Sequence, residues 1–382
     1  MRMVLSRASV LARTSLARCT LLCRSVQLSS VASKPVRSKL GLHGEPVFVS
    51  VFPGSRVLEL RHSKTGNILT KEVTSIIEDK LENMKKNDAI SCVWFASHDP
   101  DLFSFGLDGS AKDQDVLKRV HSMATLIKNY NKITLTMYGG VMTGTAFAAF
   151  AGSKYRLGAS TLSLKITELS QGSFPGAGLA HFFANAYDGG MAMARYLAIS
   201  GREVRAHDLF SMGLLTHLVE EEAQNSLTHA LAETIANPAE DAQLNIPRDT
   251  GTVVRESSVA ELLDTMHIES DLDILSHSAW DKYILVPPGR WDTLEPEEDN
   301  SNDLITIDSQ VKLCFDEKFS VDETRKALSA INKPWATEAL KRMDALDAKV
   351  LQNWWRLTAF ANDKTKKLPE VLAEELLIVS QN

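Results

Sequence analysis

Few side chains in this sequence are spaced for chemistry. His98, His181, His207 and His217 are scattered, with no nucleophile–base pattern around them. Of the four cysteines, Cys92 and Cys314 lie far from any metal-ligand spacing and read as core or subsurface thiols. No metal and no bound cofactor is expected from these residues. The remaining candidate is an acid, Glu168, followed by a Gly/Pro-rich turn at 172–178. A carboxylate can activate water or attack a carbonyl itself. A lone glutamate in a loop, however, is more often a solvated or salt-bridged surface group.

The elements around Glu168 alternate between strand and helix. Pro46–Val51 and Arg56–Leu60 read as strands joined at Pro53-Gly54. The apolar stripe Val73, Ile76, Ile77, Leu81 and Met84 predicts a helix over about 70–84. A short apolar strand is expected at 89–95 and a helix at 115–130. A strand at 132–138 leads through Gly139-Gly140 into an apolar helix at 144–151. Short strands at 156–158 and 161–164 precede the turn after Glu168, and helices are expected at 179–200 and 205–212. Strands alternating with helices argue for an α/β core of stacked turns. Residues 286–304 carry Pro287-Pro288-Gly289 and Glu295-Pro296-Glu297-Glu298-Asp299 and read as an exposed acidic loop. Beyond it, Ser320 and Glu323 form a capping box, and the rest reads as helix to the end. That region is either a separate domain or a helical cap on the core.

The first 40 residues have a different composition. They hold eight basic residues and no acidic one, the first acid being Glu45. Ser and Leu fill the gaps, and at ~100° per residue the first five arginines fall within about half of a helical wheel. This is the composition of a mitochondrial transit peptide, and it predicts a mitochondrial matrix location. Without it the chain carries 34 basic and 48 acidic side chains, a net charge of −14. An acidic body repels phosphate backbones, so little direct nucleic-acid binding is expected. No run reaches the ~18 apolar residues a membrane span needs. The oligomeric state is not readable.

Four stretches share an order and spacing with a known family. Leu60–Leu69, with Asn67 and Leu69, resembles L-N-R-P-x-x-x-N-A-L. Phe103-Ser104-Phe105-Gly106-Leu107-Asp108-Gly109 resembles F-C-A-G-G-D-I, and Gly140–Ala146 resembles G-I-T-M-G-G-G. Thr167–Gly178 resembles P-E-T-A-I-G-L-F-P-D-V-G, where Phe174-Pro175 is the distinctive pair. Together they span roughly 45–220 and resemble the 3-hydroxyisobutyryl-CoA hydrolase family of the crotonase superfamily. The resemblance implies a crotonase spiral of repeated ββα turns with a C-terminal helical region. The expected boundaries are a transit peptide at 1–40, a crotonase-like core at 41–285, the acidic loop at 286–304 and helices at 305–382.

The resemblance also implies a site. Backbone N–H groups in the Phe105-Gly106-Leu107 turn and at Gly144-Thr145 would form an oxyanion hole for a thioester carbonyl. Lys64, Asn67 and Leu69 would line the CoA site. Glu168 falls on the family's catalytic glutamate. Several positions depart from the pattern: the Asn-Arg-Pro of the first stretch is absent, and Phe105 and Leu107 replace an alanine and a glycine. Thr145 replaces a glycine, Gln114 stands where a substrate-contacting glutamate is found, and Gly176 takes the place of the second, aspartate, carboxylate. The nearest downstream acid is Asp188. Thr145 reads as a buried helix residue whose hydroxyl bonds back to the preceding turn.

Two functions follow from the resemblance. One is a hydrolase of 3-hydroxyisobutyryl-CoA in valine catabolism, with a CoA thioester as ligand. The other is a member that kept the fold and lost the chemistry, as hydrolase-like components of the mitochondrial small ribosomal subunit have, with ribosomal proteins as partners. The losses at Thr145, Gln114 and Gly176 favour the second.

Overall fold

The computed structural model describes residues 45–107, 114–220 and 304–381, with short helical pieces between 226 and 267. The expected transit peptide and acidic loop lie outside the described residues. Strands β1 (Val47–Phe52) and β2 (Ser55–Leu60) form an antiparallel hairpin through Pro53-Gly54. Helix α1 (Lys71–Lys85) is opened by Thr70, whose hydroxyl accepts from the Val73 N–H, and it buries Val73, Ile77, Leu81 and Met84. From β3 (Cys92–Ser97) onward the chain repeats one unit: a strand in one sheet, a strand in a second sheet, then a helix. The first unit is β3, β4 (Leu102–Ser104) and α2 (Gln114–Lys128). The second is β5 (Ile133–Tyr138), β6 (Val141–Thr143) and α3 (Gly144–Phe150). The third is β7 (Tyr155–Ala159), β8 (Ser163–Lys165), a 3-10 turn over Glu168–Gln171, and α4 (Leu179–Ala186). Then follow α5 (Gly190–Ser200), β9 (Val204–Arg205), α6 (Ala206–Ser211) and β10 (His217–Val219).

Stacking these units gives a six-stranded sheet, β1-β2-β3-β5-β7-β10, and a four-stranded sheet, β4-β6-β8-β9. The neighbours are parallel except at β1–β2 and β8–β9. This is the expected ββα spiral. Its corners lie directly on one another. Val141 N–H donates to Asp101 O at 2.9 Å, and Ser163 N–H donates to Gly140 O at 2.9 Å. Gly140 has φ +64°, and a Cβ there would lie 2.2 Å from the Asp101 carbonyl carbon. Only glycine lets the corner close so tightly.

Every residue of α3 is buried. A helix apolar on all sides belongs inside a core. Around it Phe95, Phe103, Tyr138, Phe147 and Phe150 pack at ring separations of 4.9–5.6 Å. One expected element is interrupted: the helix predicted over 179–200 is two, broken at Tyr187–Gly189. Gly190 packs so closely on the Phe183 carbonyl that a Cβ would sit 1.9 Å away. The apolar period runs on through this Gly-Gly break, so periodicity alone joins the two.

The C-terminal helices are α7 (Leu304–Cys314), α8 (Val321–Ala330), α9 (Pro334–Ala345), α10 (Ala348–Asn362) and α11 (Leu368–Ser380). Ser320 and Glu323 make the expected capping box at α8. Apolar residues of all five helices belong to the same buried cluster as the spiral, so the region caps the core. Trp335, Trp354 and Trp355 are inside it. Arg195 of α5 is buried beneath α10, its guanidinium 4.7 Å from the Trp355 ring and donating to Thr358 Oγ1 at 2.9 Å. Burial lowers its pKa to about 10. Among the described residues, no helix is long and apolar enough to cross a membrane.

Gly140→Ala is predicted to lower unfolding stability by at least about 2 kcal/mol in denaturant melts, because a left-handed backbone position and a clash with rigid backbone add.

Candidate active site

The site forms where the 103–107 turn, the start of α3 and the Glu168–Gly178 segment meet. The turn is clamped from outside by residues 66–69. Asn67, itself in the left-handed region at φ 48°, donates through Nδ2 to Phe103 O at 3.0 Å and to Ser97 Oγ at 3.1 Å. Its Oδ1 accepts from His62 N–H at 2.7 Å. Ser104 Oγ donates to Asn67 O, Phe105 N–H donates to Gly66 O, and Leu69 N–H donates to Gly106 O. Asn67 and Leu69 are therefore buried parts of the clamp, and Lys64 is exposed beside it. The Phe105 ring lies over Gly66, where a Cβ would meet it at 2.4 Å.

Gly106 brings the turn onto α3. It has φ +73°, and its absent Cβ would lie 2.6 Å from Thr143 Oγ1 and 3.2 Å from the Ala146 amide nitrogen. The Gly106 N–H is taken by Ser104 Oγ at 3.0 Å. The Leu107 N–H has no hydrogen-bond acceptor among the described residues. Of the expected oxyanion donors, the turn thus presents Leu107. Gln114 opens α2 on the same face as Leu117 and His121, one turn nearer the helix start.

The second donor is engaged. Thr145 N–H donates to Glu168 Oε1 at 2.7 Å, and the Thr145 hydroxyl donates to the same oxygen at 2.8 Å. That hydroxyl in turn accepts from Gly176 N–H at 3.0 Å. Thr145 therefore bridges Glu168 and the Gly176 turn, instead of bonding back within its own helix as expected. Gly144 is packed under Glu168, with Oε1 3.3 Å from where its Cβ would be. Glu168 is 8% exposed, and its Oε2 has no partner among the described residues. Burial raises its pKa above the ordinary carboxylate range, and the bonds from the Thr145 amide and hydroxyl offset only part of that effect.

A second carboxylate lies across the turn. Glu375 of α11 is fully buried. Its Oε1 accepts from Gly178 N–H at 2.9 Å, and its Oε2 is 2.7 Å from His121 Nε2 on α2. The same Oε2 is 3.8 Å from where a Cβ on Gly176 would stand. Asp188 was the nearest acid in sequence, but in space a carboxylate from the far end of the chain reaches this place. Sequence reasoning missed both Glu375 and His121. A trace of each is visible: Glu375 interrupts the apolar stripe Leu368, Val371, Leu372 and Ile378, and His121 interrupts Leu117, Val120 and Ala124. Ala177, between the two glycines, has φ 58°, a left-handed conformation that costs a residue with a side chain about 1–2 kcal/mol. Among the described residues, no group of three or more His, Cys, Asp or Glu is arranged to hold a metal ion.

The other histidines do not join the site. His217 bonds Asp264 at 3.1 Å and lies 2.9 Å from Thr216 Oγ1, but that hydroxyl is held on both sides by the Arg156 backbone.

Thr145→Val keeps the shape but leaves the Gly176 N–H without its acceptor. A loss of about 1–3 kcal/mol in denaturant melts is expected. Glu168→Gln should behave differently with pH. A raised carboxylate pKa means the stability Glu168 contributes is complete in acid and is lost as pH rises through the raised value. Glutamine does not titrate. Relative to wild type, Glu168→Gln should therefore gain stability from acid toward neutral pH, and a pH-independent difference in melting temperature would contradict this.

Residues 55–282 match the enoyl-CoA hydratase/isomerase family. The mitochondrial methylglutaconyl-CoA hydratase of Mus musculus is 19% identical over 233 residues, which is 56% of this chain and 74% of that protein. The mitochondrial 3-hydroxyisobutyryl-CoA hydrolase of Danio rerio is 23% identical over 275 residues, 69% of this chain and 65% of its own length. A carnitinyl-CoA dehydratase from Mycobacterium thermoresistibile superimposes with a TM-score of 0.65 at 19% identity, covering 87% of this chain and 84% of that one. An enoyl-CoA hydratase from Rhodobacter sphaeroides 2.4.1 gives 0.64 at 16%, covering 87% and 83%. These two solved structures share the spiral of stacked turns. With the match over more than half its length, the chain belongs to the enoyl-CoA hydratase/isomerase family and has the crotonase fold.

Proposed function

We propose that this protein is a 3-hydroxyisobutyryl-CoA hydrolase-like member of the family that keeps the fold without turnover. It serves in the mitochondrial matrix as a structural component of the small ribosomal subunit. One observation carries the first half of this reading. The Thr145 N–H, which a thioester carbonyl would need, donates to the protein's own Glu168. Two N–H donors at ~3 Å are what lowers the barrier to a tetrahedral intermediate, and losing one typically costs ~10²–10³ in rate. Here a single carboxylate oxygen takes both the amide and the hydroxyl of Thr145. The group that would activate water caps the buried helix instead. Gly176 cannot ionise, and Leu107 adds bulk beside the remaining donor. The net charge of −14 outside the first 40 residues supports docking on basic ribosomal proteins rather than on RNA.

The second reading is an active hydrolase of 3-hydroxyisobutyryl-CoA, with the CoA thioester as substrate. It is favoured by the unpartnered Glu168 Oε2 and by the raised pKa, a shift of the kind found in acid–base groups.

Two measurements on the purified chain separate these readings. Under the structural reading, hydrolysis of 3-hydroxyisobutyryl-CoA by wild type does not exceed that by Glu168→Ala, and the protein sediments with mitochondrial small subunits at moderate salt. Turnover in wild type that disappears in Glu168→Ala would overturn it.

A further inference from the structure

The closed state of Glu168 does not stand alone. It is the last link of a buried chain of contacts that begins on the C-terminal helix. Glu375 of α11 takes the Gly178 N–H on one oxygen and His121 of α2 on the other. Two residues back, the Gly176 N–H donates to Thr145 Oγ1, and Thr145 gives both of its protons to Glu168 Oε1. Between the two amides, Ala177 and Gly178 are both left-handed, so the turn depends on its surroundings to hold its shape. Those surroundings are largely α11. A Cβ on Gly178 would meet Leu368 Cδ1 at 2.4 Å and Leu372 Cδ2 at 3.5 Å. Three inward positions of α11, Leu368, Leu372 and Glu375, therefore bear on one turn. The last of them is a fully buried carboxylate with both oxygens used.

A buried carboxyl group on an otherwise apolar helix stripe is costly unless hydrogen-bonded, so it fixes one seating of that helix. A leucine at 375 would fill the space but would leave the Gly178 N–H and His121 Nε2 without partners. The histidine reaches no second acceptor: its Nδ1 is buried and unpartnered among the described residues. Glu375 thus joins α2, α11 and the 176–178 turn at one point.

We propose that α11 is an autoinhibitory latch whose catch is Glu375: docked on Gly178 and His121, it holds the 176–178 turn and, through Thr145, keeps Glu168 on the amide that a thioester carbonyl would otherwise occupy. Releasing the catch loosens the turn, frees Thr145 Oγ1 from Gly176, and lets Glu168 leave the Thr145 N–H. The proposal rests on the closed-site reading above, and it adds that the closure is imposed by the C-terminal helix and is reversible.

The test uses the purified chain as wild type, Glu375→Ala, His121→Gln and the double variant, with isobutyryl-CoA as the probe, titrated by calorimetry. Glu375→Ala, which removes both contacts, should bind the thioester at least about tenfold tighter than wild type; His121→Gln, which weakens only one of them, should bind tighter than wild type but less tightly than Glu375→Ala, and the double variant should match Glu375→Ala. Amide hydrogen exchange supplies a second reading in any variant that folds. Exchange at Gly178 and Thr145 should speed up while the amides of β5 and β7 keep their protection. Equal thioester affinity in wild type and the folded single variants, or unchanged exchange at Thr145, would overturn the latch. Turnover by wild type would instead overturn the closed-site reading, so the two failures are distinguishable.

Discussion

The buried helix α3 starts inside the protein with amide groups that its own N-cap leaves unmet. Thr143 makes no capping bond, and its hydroxyl finds no partner among the described residues. Helix starts carry unsatisfied N–H groups and partial positive charge, and burial makes that expensive. Glu168 meets the need from another turn of the spiral by accepting the Thr145 amide and hydroxyl together. Much of the site is arranged around this one carboxylate. Gly144 makes room beneath it, Thr145 links it to Gly176, and the 3-10 turn over Glu168–Gln171 presents it. The same bond engages the Thr145 amide within the protein. The amide and hydroxyl of Thr145 favour the ionised carboxylate and burial opposes it, so the two effects meet on one side chain.

The surrounding structure reinforces that contact. The 103–107 turn is clamped by hydrogen bonds from Asn67 and Leu69. On the other side, the C-terminal helices share their apolar core with the spiral, and α11 places the buried Glu375 against the 176–178 turn. The result is a scaffold with two buried carboxylates on either side of a strained turn. One is satisfied on both oxygens, and the other on one.

Much of this was legible in the residues. Apolar runs and periodicity located β1, β2, β3, β5, β7, β8 and the larger helices of the spiral, and the Ser320–Glu323 box located the start of α8; the two- and three-residue strands β4, β6, β9 and β10 are too short to carry a period. The glycines at 106, 140 and 144 stand where the Thr143 hydroxyl, the Asp101 backbone and the Leu179 side chain approach too closely for a Cβ. Glu168 was readable as a candidate acid. Its engagement was not, because a hydrogen bond from Thr145 to a residue 23 positions later depends on how the turns stack. Glu375 was hidden for the same reason on a larger scale. It lies 197 residues after Gly178, and no local pattern reports contacts of that separation. The break at Tyr187–Gly189 was obscured by apolar residues that keep helical phase across it.

Glu168 is the acceptor of the Thr145 amide. The amide resonance of Thr145, followed by NMR as pH is varied, reports this contact directly. A pH-dependent shift is predicted, with its midpoint above the ordinary carboxylate range and absent in Glu168→Gln. A Thr145 resonance that ignores pH in wild type, or that titrates equally in the variant, would contradict it.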